Sequence, residues 1–230
     1  MIDNKLIIFL IIVIIIVIIY YIDILKYGKR KIITYNPRYM ITPKKYDCNN
    51  HTFYNNNKGI SSTISFWMYL KDWNYKFMQY KQIFKKGRFE IYMPPKNNFL
   101  IVDVPITGNK TESLIYKVVP IQKWLNITII IDNRHVDLWI NGKMYVSKYL
   151  SNIPDLENNK TILAAENNGY DGYISRITSW KYPLSKSKII RVFKAGPVDN
   201  TSLTKLKRAG SFLRDKIYAL TKRKDIKCAD

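Results

Sequence analysis

The sequence predicts an all-β domain, a sandwich or a barrel, between an apolar segment at the start of the chain and a basic segment at its end. Three observations support this fold class. Apolar and polar residues alternate with a period of two in many short runs, turn residues separate the runs, and one helical pattern follows them. Many short strands joined by turns are typical of sandwiches and barrels.

The clearest strand pattern is "TISFWMYL". It places Ile64, Phe66, Met68 and Leu70 on one face, because successive side chains of a strand point to opposite sides. The run "LNITIII" (residues 125–131) repeats the alternation. We therefore expect both runs to be strands that turn one face to a core.

A three-stranded meander is expected over residues 123–149. The turn "DNR" separates "LNITIII" from "HVDLWI", and Asn141-Gly142, a strong hairpin signal, separates "HVDLWI" from "KMYVSKYL". Further short strands are expected at "FEIYM", "FLIVDV", "SLIYKV", "TILAAE" and "YISRITSW". One helix, "KSKIIRVF", is expected to begin at a cap residue, Ser185. The glycines of "GYDGY", Gly169 and Gly172, are expected to turn the chain before its last strand.

Several motifs in order resemble the laminin G-like branch of the concanavalin A-like lectin/glucanase superfamily, over roughly residues 60–196. They are Ser65-Phe66-Trp67, Lys86-Gly87, Trp124, Asp132, "LWING" (residues 138–142), Gly172-Tyr173-Ile174, Trp180 and Leu184-Ser185. The resemblance implies a jelly-roll sandwich of two antiparallel sheets. It leaves the function open, because the superfamily includes glycosidases, lectins and structural modules.

An uncharged run of 17 residues, from Leu6 through Ile14 to Ile22, consists almost wholly of Ile, Leu and Val. This length is at the short end of the range for a membrane helix. A cleaved signal peptide is the main alternative, but no small-residue cleavage site follows the run. We therefore expect residues 1–31 to be a transmembrane anchor with a basic flank, and the protein to be a single-pass membrane protein.

The side of the membrane that the domain faces is left open by the sequence. A basic cluster after the apolar run favours the cytoplasmic side, by the positive-inside rule. Five N-x-S/T sequons point the other way; they are Asn50, Asn109, Asn126, Asn159 and Asn200. The two cysteines, Cys48 and Cys228, are compatible with one bridge or with free thiols.

The charge predicts anionic partners. Lys and Arg number 38 against 17 Asp and Glu, a formal net charge of +21 that favours lipid headgroups, acidic glycans or acidic proteins. A composition rich in Ile, Lys, Asn and Tyr is also typical of A/T-rich genomes, so codon bias is an alternative cause of the lysine excess. Such genomes include those of large DNA viruses, which suits a virion or host-membrane setting. Residues 199–230 form a basic amphipathic pattern that carries Lys205, Arg208, Arg214 and Arg223. It is expected to be a helical tail that lies on an anionic surface or covers the sandwich. Nucleic acid is a less favoured partner, because no nucleic-acid-binding signature accompanies the charge.

Catalysis is not expected. Glucanases of the superfamily carry E-x-D-x-x-E on one strand, and this chain lacks that motif. The two histidines form no recognisable triad or metal pair, and no cofactor is expected. Asp171 is a weak candidate for a calcium or ligand loop, since calcium takes six to eight oxygen ligands and no dense acidic loop is present.

The predicted ligand contacts are His135, Asp137 and Trp139. They lie on the face of "HVDLWI" opposite its apolar residues, where an aromatic ring beside polar groups could stack on a sugar. Alternatively, Trp139 packs under a loop, a helix or a partner. We interpret residues 32–198 as a laminin G-like, non-catalytic module for interaction or tethering, membrane-anchored and with a protein or glycan as its partner. A carbohydrate-binding lectin is the alternative, followed by a glycoside hydrolase.

Overall fold

The computed structural model of the protein describes residues 11–15, 17–18, 30–34, 36–47, 55–56, 59–156, 161–166 and 168–197. In chain order its strands are β1 (Arg30–Ile32), β2 (Arg38–Tyr39), β3 (Lys44–Asp47), β4 (Asn55–Asn56), β5 (Gly59–Asp72), β6 (Lys81–Lys86), β7 (Phe89–Met93), β8 (Phe99–Ile106), β9 (Lys110–Lys117), β10 (Trp124–Asp132), β11 (His135–Ile140), β12 (Lys143–Tyr149), β13 (Thr161–Ala164) and β14 (Asp171–Trp180). A helix, α1 (Lys186–Lys194), follows the last strand.

The strands form two antiparallel sheets. One sheet has eight strands, in the order β1-β14-β5-β10-β11-β12, with β2 beside β14 and β4 beside β5. The other has six strands, in the order β3-β13-β6-β7-β8-β9. The predicted all-β class with two antiparallel sheets is confirmed, and the arrangement is consistent with a jelly-roll sandwich.

The core lies between the sheets and is built by strand alternation. Phe66 and Met68 of β5 and Ile127 of β10 point inward from the eight-stranded sheet, and all three are fully buried. Ile91 of β7 and Val102 of β8 meet them from the six-stranded sheet. The apolar faces read from the sequence are therefore the faces that pack together.

The predicted meander is confirmed as β10, β11 and β12. Asp132 pairs with His135 across the first turn, and Ile140 pairs with Lys143 across the second. Asn141 and Gly142 of the second turn have positive φ angles of 49° and 74°. This is the backbone conformation that the Asn-Gly signal predicts.

The two glycines of "GYDGY" are needed for space. A Cβ on Gly169 would lie 1.8 Å from the carbonyl oxygen of Met40, and one on Gly172 would lie 2.0 Å from that of Tyr69. Gly172 lies inside β14, which begins at Asp171. The prediction that these glycines turn the chain therefore has to be revised, because they let neighbouring backbones approach closely.

Helix α1 begins where it was expected, with Ser185 as its N-cap residue. The Ser185 side chain does not cap the helix, and its hydroxyl lies 3.1 Å from that of Ser187. The strands β1 to β4 and β6 were not predicted. Five of the six residues of β6 are buried, so its sequence shows no alternation to read.

The structure contradicts the prediction of a single-pass membrane protein. In the described part of the chain, no helix is both long enough and apolar enough to cross a membrane. Leu6 and Ile22, the ends of the expected anchor, lie outside the described residues. Ile14 lies in a described helical stretch, residues 11–15, and its side chain is exposed.

Candidate functional site

The eight-stranded sheet turns one face to the core and the other, its outer face, away from it. Since Phe66 and Met68 of β5 point inward, Trp67 and Tyr69 lie on the outer face. Helix α1 packs over Trp67, whose ring stacks on Phe193 at 5.7 Å between centroids. We call the part under α1 the covered half and the part that carries Tyr69 the open half.

Four aromatic side chains, which we call the aromatic row, cross the open half on four neighbouring strands. They are Trp124 of β10, Tyr69 of β5, Tyr173 of β14 and Tyr39 of β2. The strand register places Trp124 opposite Tyr69, Tyr69 opposite Tyr173, and Tyr173 opposite Tyr39. The row is therefore an unbroken line of rings at right angles to the strands.

The rings contact one another along the row. Their centroids are 5.4 Å apart for Tyr69 and Trp124, 6.3 Å for Tyr69 and Tyr173, and 5.1 Å for Tyr39 and Tyr173. Tyr173 is 36% exposed and Tyr39 is 38% exposed. With strands about 4.8 Å apart, four strands give a platform about 14 Å long.

Buried groups beneath the row hold it in place. The fully buried Tyr170 donates a hydrogen bond from its phenol to the carbonyl of Tyr173 at 2.9 Å. Gly172 lets β14 lie against the carbonyl of Tyr69, because a side chain there would collide with it. The ring positions thus follow from packed backbone.

A pocket of about 510 Å³, which we call the rim pocket, opens where these strands end. Its lining is mostly polar and comes from the end of β5, the segment before β10 and the start of β14: Lys71, Asp72, Trp73, Asn74, Ile121, Gln122 and Asp171. Lys71 follows Tyr69 by two residues and Asp171 precedes Tyr173 by two. The polar pocket therefore lies beside the aromatic row.

Asp171 joins the pocket to the row. Its carboxylate accepts a hydrogen bond from the Tyr39 phenol at 2.7 Å, and the ammonium of Lys71 lies 4.0 Å away. The hydrogen bond to Asp171 raises the pKa of Tyr39 to about 12, with smaller contributions from desolvation and from the charge of Asp171. The carboxylate is thus fixed in position and keeps further acceptor capacity.

A buried lysine fixes the loop that follows β5. Lys81 is fully buried, and its ammonium lies over the Trp73 ring at 4.5 Å and donates to the carbonyl of Lys76 at 3.1 Å. Burial lowers the pKa of Lys81. These contacts hold Trp73, one wall of the rim pocket, against the body of the domain.

The covered half is also aromatic, but α1 closes it. Trp139 and Trp180 pack with Ile189 of α1, and both indoles are less than one-tenth exposed. Gly142 lets α1 approach, since a Cβ there would lie 3.1 Å from the ring of Phe193. The Arg176 guanidinium donates to the carbonyl of Gly196 at 2.9 Å and ties down the end of the helix.

The predicted ligand contacts, His135, Asp137 and Trp139, share the outer side of β11 as expected, but they do not form an open site. Trp139 lies under α1, and this burial argues against stacking on a ligand. Asp137 accepts a hydrogen bond from Ser147, and His135 packs edge-on against Tyr149 at 4.7 Å. The structure therefore selects the alternative in which Trp139 packs under a helix.

The calcium suggestion at Asp171 finds little support in its surroundings. Calcium takes six to eight oxygen ligands, and here a lysine ammonium lies 4.0 Å from the carboxylate. Among the described residues, no group of three or more His, Cys, Asp and Glu could hold a metal ion. In the structure this carboxylate accepts a hydrogen bond from Tyr39 and pairs with Lys71.

Several sequence predictions concern residues outside the described part of the chain. They are the basic tail with Lys205, Arg208, Arg214 and Arg223, the cysteines Cys48 and Cys228, and the sequons at Asn50, Asn159 and Asn200. Of the other two sequons, Asn126 is fully buried, whereas Asn109 lies exposed in the turn between β8 and β9. The fold therefore leaves Asn109 accessible and encloses Asn126.

Sequence reasoning missed the aromatic row as a site. Alternation alone places Tyr69 and Tyr173 opposite the core residues of their strands, so a search for outward aromatic residues would have found both. Tyr39 lies in a two-residue strand without readable periodicity. The alignment of the rings depends on strand register, which the sequence pattern does not reveal.

The family follows from comparison with known proteins. A laminin G family model, described as concanavalin A-like lectin/glucanases superfamily, matches residues 45–190, well over half of the chain. The chain belongs to this superfamily. The match confirms the resemblance read from the sequence motifs, and it covers both Tyr69 and Tyr173 of the aromatic row.

Solved structures with this fold include domains of botulinum neurotoxins. The serotype D binding domain is 18% identical with a TM-score of 0.53, over 72% of this chain and 46% of that one. The receptor binding domain of the C/D mosaic serotype is also 18% identical, with a TM-score of 0.51, over 70% and 46%. The serotype D ligand binding domain in complex with N-acetylneuraminic acid has 18% identity and a TM-score of 0.52, over 70% and 46%.

The chain spans less than half the length of these solved structures. At 18% identity, the likeness to these solved structures shows a shared fold alone. A comparison with curated proteins gave no match.

Proposed function

We propose that this protein is a non-catalytic binding module that takes a glycan on the aromatic row. The observation that carries the proposal is the register of Trp124, Tyr69, Tyr173 and Tyr39, which makes four contacting rings one platform, with Tyr39 and Tyr173 exposed and Tyr69 and Trp124 half-buried. Sugar rings present flat C–H faces to aromatic side chains and hydroxyl groups at their edges. A platform about 14 Å long suits an oligosaccharide better than a single sugar.

The rim pocket supplies the polar groups that such a ligand needs. Glycan hydroxyls are both donors and acceptors, and the pocket offers the carboxylate of Asp171 and the amides of Gln122 and Asn74. Ligand sites typically combine apolar or aromatic walls with a few well-placed polar groups. The row and the pocket together have this composition.

The family is compatible with this role. The superfamily name covers lectins as well as glucanases, and one solved neighbour was determined in complex with N-acetylneuraminic acid. A protein partner is the alternative ligand class, because tyrosine and tryptophan are also enriched at protein interfaces. The direct link between the rings and a polar pocket favours the glycan.

A glycan array probed with the full-length chain tests the proposal. Tyr173→Ala removes the ring between Tyr39 and Tyr69, and we expect it to weaken binding about tenfold or more, because one aromatic contact contributes about 0.5–1.5 kcal/mol and its loss also breaks the row. The matched control is Tyr145→Ala. Tyr145 is likewise an exposed strand tyrosine, but it lies on β12 and contacts Tyr116, away from the row.

Two results would contradict the proposal. Equal loss in Tyr145→Ala and Tyr173→Ala would show that the row is not the platform. If no glycan binds and a protein ligand is found that the Tyr173→Ala variant no longer binds, the row is a protein interface.

The non-catalytic part of the proposal is tested by incubating bound glycans with the chain and assaying new reducing ends, and we expect none. Glycosidases use a pair of carboxylates, and the rim pocket contains Asp72 and Asp171, so Asp171→Asn would be the variant to assay if new ends appeared.

A further inference from the structure

We infer that the rim pocket selects an uncharged sugar at one side of the bound glycan and disfavours sugars that carry carboxylate or sulfate. This inference rests on the proposed function, since it concerns the specificity of the same site. Asp171 connects the pocket to the aromatic row, because it lines the pocket and accepts a hydrogen bond from Tyr39 of the row. A glycan on the row therefore reaches the charges of the pocket.

The charge of the pocket opposes the charge of the chain. The whole chain has a formal net charge of +21, which by itself favours anionic ligands. The rim pocket contains two carboxylates, Asp72 and Asp171, and one ammonium, Lys71. Among the residues that line the pocket, carboxylates therefore outnumber ammonium groups by two to one, and the buried ammonium of Lys81 lies behind the Trp73 wall.

Asp171 is the enclosed charge of the pocket, whereas Asp72 and Lys71 are both exposed. Asp171 is fixed by the Tyr39 phenol at 2.7 Å, and Asp72 accepts the backbone N–H of Asn74 at 2.9 Å. The side chain of Lys71 is 58% exposed, against 13% for Asp171. An exposed ammonium in water contributes little to a pair, so Lys71 offers weak compensation to an acidic sugar.

These fixed carboxylates distinguish hydroxyl groups from acidic groups. A sugar hydroxyl donates a hydrogen bond to a carboxylate, and hydrogen bonds to charged groups are stronger than neutral ones. A ligand carboxylate or sulfate is acceptor-only at neutral pH and is repelled above all by the enclosed Asp171, since water screens the exposed Asp72 more strongly. The geometry therefore favours a neutral, hydroxyl-rich sugar at the pocket.

The test compares neutral and acidic probes on the full-length chain. Neutral probes are hexasaccharides of glucose, mannose or N-acetylglucosamine, and acidic probes are hyaluronan hexasaccharide and sialyllactose. Each is titrated at about 0.15 M and about 1 M salt, because the shorter screening length of about 3 Å at high salt removes unspecific attraction to the basic chain. High salt also weakens the repulsion but leaves the hydrogen bonds from sugar hydroxyls to the carboxylates, so we expect the best neutral probe to bind at least about tenfold more tightly than any acidic one, equivalent to about 1.4 kcal/mol.

Variants assign this preference to the pocket. We expect Asp171→Asn to reduce the ratio of neutral to acidic affinity about tenfold, and Asp72→Asn to reduce it in the same direction. Tyr39→Phe removes the hydrogen bond but keeps the charge of Asp171, so it should keep the preference. Asp155→Asn is the control, since Asp155 is an exposed carboxylate paired with Arg88 outside the pocket.

The outcomes separate this inference from the proposed function. Acidic probes that bind as tightly as neutral ones, and that Tyr173→Ala releases, overturn the inference and leave the glycan platform standing. An unchanged ratio in both Asp171→Asn and Asp72→Asn, with thermal unfolding like that of the parent chain, also overturns it. If no probe of either kind binds, the proposed function itself fails.

Discussion

The two halves of the outer face carry similar aromatic side chains, but they differ in whether helix α1 packs over them. Trp67, Trp139 and Trp180 in the covered half point away from the core just as Tyr69 and Tyr173 do in the open half. Trp139 and Trp180 join Ile189 of α1 in a second small core, and Trp67 stacks on Phe193 of the same helix. In contrast, Tyr69 is half-buried and Tyr173 is exposed. An outward aromatic residue is therefore a site candidate only after the elements that pack over the sheet are known.

The covered half also contains a buried polar layer. The hydroxyls of Ser65 and Thr128 lie 2.8 Å apart, and Asn126 donates to the carbonyl of Phe66 at 3.2 Å. Among the described residues, the indole nitrogen of Trp139 and the amide oxygen of Asn126 are buried without a hydrogen-bond partner. Leaving such groups unpaired costs about 1–3 kcal/mol each, so the packing of α1 has to outweigh this cost.

The largest expected effect is that of Trp139→Ala on stability. Trp139 packs against α1 and the neighbouring strand, so its truncation should lower the free energy of unfolding by about 3–5 kcal/mol. Chemical denaturation of the full chain measures this change. Tyr173→Ala is the comparison from the open half, and we expect a change of about 1 kcal/mol or less. A Trp139→Ala variant of parental stability that lost glycan binding would instead restore Trp139 as a ligand contact.

A smaller effect is expected at the contact between the meander and α1. Gly142→Ala adds a Cβ about 3.1 Å from the Phe193 ring at a φ of 74°, and we expect it to destabilise the chain by about 1–3 kcal/mol. Gly108→Ala is a matched control, because Gly108 has a φ of 85° but no neighbouring atom within 4 Å of the added Cβ. The excess loss at Gly142, measured by thermal unfolding, reports the helix contact. Equal losses would show that α1 is loosely packed there.

The smallest effect on stability is expected in the open half, at the hydrogen bond between Tyr39 and Asp171. The contribution of this hydrogen bond to the free energy of unfolding is fully present below the tyrosine pKa of the unfolded chain, about 10. It is lost as the pH rises through the pKa of Tyr39 in the folded chain, about 12. Asp171→Asn should return the pKa of Tyr39 towards 10. Ultraviolet titration measures this shift, and since the chain has 18 tyrosines, the Tyr39 signal is taken as the difference from Tyr39→Phe. An unchanged Tyr39 signal in Asp171→Asn would contradict the contact.

The sequence predicted the local features of the fold well. The strand patterns in β5, β10 and β11, the Asn141-Gly142 turn and the start of α1 were read correctly, because alternation and turn conformation depend on neighbouring residues alone. It failed for β6, whose buried residues show no alternation. It also failed for the predicted membrane anchor. An uncharged apolar run was interpreted as a membrane-spanning helix, and the described residues contain no helix that is long and apolar enough to cross a membrane.

The site was harder to predict, and the three proposed contacts on β11 show why. Alternation placed His135, Asp137 and Trp139 on one side correctly, but it carried no information about what packs over them. The same alternation put Tyr69 and Tyr173 outward, yet their contact depends on the pairing of β5 with β14, more than one hundred residues apart in sequence.

By itself, the sequence determined the all-β class, the superfamily and the inward and outward sides of the main strands. These properties follow from the two-residue period of an extended chain and from short turn signals. Tertiary structure alone decided that α1 covers Trp139, that four rings align across β2, β14, β5 and β10, and that Asp171 and Lys71 share a pocket. The reason is physical: register and helix docking are fixed by contacts between distant segments, which no local pattern encodes.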